Sequence, residues 1–93
     1  MTNKDKDLEE FHAALEIICS KMVKRALRRW NVLFKEYSSR WEGSATCENL
    51  TEASQNLECQ KIALVVTLDN YSYIMGVPYE GSLPKSFIKA MSE

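Results

Sequence analysis

The sequence predicts an all-α fold: a long antiparallel helical hairpin followed by a short C-terminal helix, with the bundle completed by dimerisation. Three observations carry this reading. Leu8, Phe11, Leu15, Ile18, Met22, Ala26, Trp30, Leu33, Tyr37 and Trp41 recur at steps of three or four, the spacing of one helical face held for about nine turns. The same rhythm resumes at Leu50, Ala53, Leu57, Lys61, Leu64, Leu68, Tyr71 and Met75. No Gly or Pro falls inside either run, whereas Gly43, Gly76 and Pro78 stand just beyond their ends, where helices stop.

Residues 1–6 are polar and are expected to fray; Asp7 followed by Glu10 resembles a capping box, with acidic charge suited to a helix start. Helix one is expected over 7–42, a rod of about 50 Å at 1.5 Å per residue, which must lean on something along its length. Gly43 is placed to cap its end, and Ser44 or Thr46 to cap the start of the second helix. So short a link folds helix two, expected over 47–75, back along helix one. A competing reading makes Ile62 to Leu68 and Tyr71 to Val77 a strand hairpin turned at Asp69 and Asn70, because Val65, Val66, Tyr71 and Tyr73 favour strands. The helix is preferred, since the first of those runs does not alternate. Pro84 suits the first position of a terminal helix over 84–91, with Phe87, Ile88 and Met91 on one side.

The 93 residues make one helical domain, and 45% hydrophobic with 27% charged residues is a globular rather than a disordered composition. A core of this size is marginal, and chains this short often gain burial by self-association. The N-terminus lacks a secretory h-region, and Ile62 to Leu68 is too short an apolar run to cross a bilayer. Cys19, Cys47 and Cys59 are odd in number and unpaired in spacing, as suits a reducing compartment. A cytoplasmic, intracellular chain with no membrane partner is expected. Asn49-Leu50-Thr51 spells a glycosylation sequon, which has no use without secretion.

The apolar surface is wider than one neighbour needs. Ala14, Ile17 and Ile18 broaden the first half of helix one; Ile62, Val66, Tyr73 and Ile74 broaden the second half of helix two. In the hairpin these two regions meet at the open end. Leaving several such side chains wet costs several kcal/mol at about 25 cal/mol per Å², so the end wants a cover: the terminal helix, a second copy, or another protein. Ile17, Ile18, Val66, Tyr73, Ile74, Phe87 and Met91 are the expected protein interface.

No constellation names a reaction. His12, Cys19, Cys47 and Cys59 are zinc-type ligands, but the hairpin spreads Cys19 and Cys59 on the order of 20 Å apart. A Cys19–His12 nucleophile pair is two turns apart, about 10 Å. The carboxylates are dispersed, and the three glycines mark turns rather than a phosphate loop. No catalytic residue, cofactor or metal is expected. The net charge of −1 excludes strong overall attraction to nucleic acid, yet Lys21, Lys24, Arg25, Arg28 and Lys35, with Arg29 beside them, make a basic row about 20 Å long. Such a row can neutralise phosphates, or be absorbed by Glu48, Glu52 and Glu58 across the hairpin. The expectation is a homodimeric, non-catalytic adaptor, inhibitor or regulator of a larger protein. The alternative is a small nucleic-acid binder using that basic row.

Overall fold

The computed structural model describes residues 3–42 and 47–92, with side chains over 5–41 and 50–92. Three helices form, α1 (Asn3–Glu42), α2 (Cys47–Met75) and α3 (Lys85–Ser92), with no strand among the described residues. The strand-hairpin alternative for 62–77 is therefore excluded: helix continues through Asp69 and Asn70, and the Thr67 hydroxyl donates to the Ala63 carbonyl one turn back at 2.8 Å. α1 begins at Asn3 rather than at residue 7, so residues 3–6 are helical instead of frayed. No breaker stands there, and Asp5 in the first turn complements the helix dipole. The caps expected from Gly43, Ser44 and Thr46 lie outside the described residues.

α2 ends as its sequence dictates. Gly76 adopts φ +73°, and its N–H donates to the Ser72 carbonyl at 2.9 Å, the left-handed cap that glycine enters without steric cost. α3 starts one residue later than expected. The Pro84 carbonyl accepts from the N–H groups of Phe87 and Ile88, both at 3.1 Å, so Pro84 caps the helix instead of occupying its first turn.

α1 and α2 pack as a helical hairpin. Cys19 and Met22 share a depression with Thr67, Asn70, Tyr71 and Ile74; the Gln60 amide donates to the Ala26 carbonyl at 3.2 Å; Tyr37 and Trp41 flank Leu50, Thr51 and Ser54. Neighbours on α2 thus fall in number as those on α1 rise. The molecule measures 65 × 20 × 17 Å, with a radius of gyration of 17.6 Å against about 12 Å for a compact chain of this length.

A third layer covers one side of the hairpin. Beyond Gly76 the chain turns back along the bundle as a strap: Tyr79 meets Tyr71 edge-on with ring centres 5.3 Å apart, and Leu83 packs on the core. The Tyr79 ring lies over Gly81, where a Cβ would overlap it. α3 then settles beside the middle of α1. Phe87 meets Trp30 edge-on at 5.4 Å, and the Trp30 indole N–H donates to the Ser86 hydroxyl at 3.0 Å. The terminal helix does not plug the open end.

This placement moves the core. Cys19, Val23, Leu27 and Trp30 are the buried residues of α1, whereas Ile18 and Met22 of the expected stripe are more than half exposed. The strap and Phe87 press on the Val23–Leu27–Trp30 side, so the buried sector turns by roughly 60° from the sequence-read stripe, with Trp30 common to both and Leu15 and Ala26 still packed at its edge. The core closes with Leu64, Tyr71 and Met75 of α2 and Phe87 of α3. Phe87 is 2% exposed, but it belongs to a short helix that can resettle over the gap its ring leaves. Phe87→Ala is expected to lower stability by about 3 kcal/mol, the low end of the range for removing a buried Phe, as measured by urea unfolding followed by circular dichroism.

Candidate interaction surfaces

The expected interface residues do not form one patch. Ile18 lies with Phe11 and Met22 on the side of the hairpin opposite the strap, and across the groove from Met22 stands Ile74. Val66 and Tyr73 lie on the outer face of α2 with Ile62, away from α1; Tyr73 is 90% exposed. Ile17 is about 100° round from Ile18 and shares a helical face with Lys21, Lys24 and Arg28. Met91 and Ile88 are half exposed on the outer flank of α3.

Phe87 is the correction to that group. Expected at the interface, it is instead buried in its own chain, because Trp30 supplies an aromatic edge contact and Ser86 a hydroxyl partner for the indole, which together seat α3. The expected group also omits Ile62, Val32 and Phe11, which are apolar and exposed to the same degree as Ile17. The signal for Ile62 was present, since it stands four residues before Val66 on one helical face.

A cleft of about 340 Å³ lies between α3 and the hairpin, lined by Trp30, Phe34 and Tyr37 of α1, Ser54 and Leu57 of α2, and Ser86 and Ala90 of α3. Its charged groups are Glu58, Lys61 and Lys89, of which Glu58 and Lys61 pair with each other at 3.0 Å. Trp30 and Phe34 stack along α1 at 6.1 Å, and Trp30 alone of the two has a ring contact with α3, through Phe87.

Cys19 is buried in the core, His12 and Cys59 are exposed, and Cys47 has no described side chain. Among the described residues no three His, Cys, Asp or Glu groups converge as a metal site, and no helix is long and apolar enough to cross a membrane.

The basic row is exposed at Lys21, Lys24, Arg25, Arg28 and Lys35. Glu58, expected to reach across the hairpin toward that row, pairs instead with Lys61 on its own helix, as Glu36 does with Arg40. A carboxylate three or four residues away reaches its partner without crossing a helix interface, which explains the choice.

α2 is the less ordinary surface. Between residues 62 and 79 the only charged residue is Asp69, yet Ile62, Val66, Asp69, Tyr73 and Ile74 all face outward. Water-facing helix surfaces carry charge, and depletion of charge with aromatic enrichment marks interface cores. These features define a helical hairpin with a strapped third helix and several uncovered apolar faces. Comparison with protein-family models, with curated proteins and with solved structures gives no match.

Trp30 is 1% and Trp41 68% exposed. Acrylamide quenching should therefore be strong in a Trp30→Phe variant, which reports Trp41, and several-fold weaker in Trp41→Phe; equal quenching of the two would contradict the seating of Trp30 beneath α3.

Proposed function

We propose that the chain acts without catalysis, as a stoichiometric adaptor, inhibitor or regulator of a larger protein, and that it works in the cytoplasm as a homodimer of antiparallel hairpins. The observation that carries this reading is the concentration of exposed apolar side chains in the half of the hairpin away from the α1–α2 link. Phe11, Ile17, Ile18, Met22, Val66, Tyr73 and Ile74 are each about half exposed or more. The whole chain presents 7214 Å² of accessible surface, against about 5,500 Å² for a compact monomer of its mass. Surface of that kind and extent suits recognition of other protein surfaces, and the shallow groove between Met22 and Ile74 can take an apolar side chain of a partner.

The test is cross-linking of the purified chain in an extract of its source, followed by reconstitution of the captured protein at defined stoichiometry. A 1:1 complex that the Ile18→Asp/Ile74→Asp variant weakens by about tenfold or more, with its circular dichroism unchanged, is the expected result. Undiminished binding by that variant removes the groove from the interface.

A second reading has its own support: the side chains of the basic row stand exposed, and the ion pairs of α2 and of the end of α1 leave them in water. Under this reading Lys21, Lys24, Arg25, Arg28 and Lys35 bind nucleic-acid phosphates. Binding then falls steeply with salt, and Arg25→Glu/Arg28→Glu abolishes it in a fluorescence-anisotropy titration with DNA or RNA. The same reversal leaves protein-partner binding through the groove intact. A purified wild-type chain without excess absorbance at 260 nm, and without anisotropy change at low salt, rejects the second reading.

A further inference from the structure

Gln55, Cys59, Ile62, Val66, Asp69 and Tyr73 succeed one another at alternating steps of four and three along α2, the a/d repeat of a coiled-coil seam. All six are exposed, and they lie opposite the line of Gln60, Leu64 and Tyr71 that is buried against α1 and the strap. α2 therefore carries two helical seams, of which the fold uses one.

We propose that the second seam pairs, antiparallel, with α2 of a second copy of this chain. The inference rests on the homodimer part of the functional reading and not on the larger partner. Self-complementarity argues for a second copy. About a two-fold axis at the level of residue 64, Ile62 meets the second copy's Val66, and Val66 its Ile62, giving two apolar layers at the centre. One step outward, Cys59 meets Asp69, so neither carboxylate faces the other. At the two ends Gln55 meets Tyr73, an amide against a phenol, which can hydrogen-bond. A parallel pairing would set Asp69 against Asp69 and Ile62 against itself, burying like charges together.

Area and charge agree with this. The excess of about 1,700 Å² over a compact monomer exceeds the roughly 800 Å² per chain that a standard interface takes. Asp69 is the single charge between residues 62 and 79; the antiparallel register sets it one layer out from the centre, inside the Gln55–Tyr73 layer, and about 15 Å along the axis from the second copy's Asp69. The basic row lies on the outer side of α1 and α3 against Trp30 on the strapped side, so both stay free in the dimer, as does the groove at Met22.

The experiment combines light scattering with directed cross-linking. Wild type should have twice the 10.7 kDa chain mass at micromolar concentration, and Ile62→Asp/Val66→Asp should have the single mass with an unchanged helical spectrum. Asp69→Cys should form a covalent dimer under mild oxidation through Cys59 of the second copy, and adding Cys59→Ser should prevent it. Within one chain the two positions are about 15 Å apart along the helix, beyond disulfide reach. A monomeric wild type overturns the seam together with the homodimer reading. A dimer whose mass Ile62→Asp/Val66→Asp leaves unchanged, or in which Asp69→Cys gives no Cys59-dependent link, overturns the seam alone.

Discussion

Trp30 is the residue on which the rest of the arrangement turns. Its indole is the largest fully buried side chain of the described residues, and a buried indole needs both an apolar surround and an acceptor for its N–H. Neither helix of the hairpin supplies that acceptor; Ser86 does, while Phe87 closes the ring's open face. The short α3 could not persist alone, since eight residues are too few for an isolated helix in water. Trp30 gives it a place, and its place decides which side of the hairpin is covered.

From that choice the distribution of surface is set. The covered side gathers Val23, Leu27 and Trp30 with Leu64 and Phe87, and the strap brings Tyr79 onto Tyr71 above them. The opposite side keeps Ile18, Met22 and Ile74 in water. α1 turns a charged back to solvent, as a helix with one pair of neighbours does. From residue 62 onward α2 turns one whose single charge is Asp69, which is closer to the composition of a helix with neighbours on both sides. The two helices thus differ less in propensity than in how completely the chain itself surrounds them.

Much of this was legible in the sequence. The three-four spacing placed α1 and α2 to within a few residues, Gly76 and Pro78 marked the end of α2, and the excess apolar width at Ile18 and Ile74 could be read from period alone. What could not be read was the azimuth of the core. Cys19 and Val23 are no more apolar than Ile18 and Met22, and only the arrival of Tyr79, Leu83 and Phe87 from beyond residue 76 decides between the two sectors. Phe87 was misassigned for the same reason: its partner Trp30 lies 57 positions earlier in the chain. The outer seam of α2 was only half visible, because Asp69 and Gln55 interrupt its apolar pattern.

Gln60 bears on whether the uncovered surface could be relieved within the chain. It is a buried polar residue of α2, and its amide reaches the Ala26 carbonyl, which a helix already uses once and which has a second lone pair to offer. Sliding α2 along α1 by a turn would move Ile74 relative to Met22, but it would also carry the Gln60 amide off that carbonyl and leave it buried without a partner, at about 1–3 kcal/mol. A single polar contact inside an apolar interface fixes register in this way. Trp30 and Ser86 fix the third layer by the same logic, an indole N–H in place of an amide. With both registers pinned, the hairpin cannot shift to cover Ile18, Met22 and Ile74, nor can α3 move up to do so without unseating Phe87. For those side chains, and for the outer seam of α2, the alternative to water is cover from outside the chain.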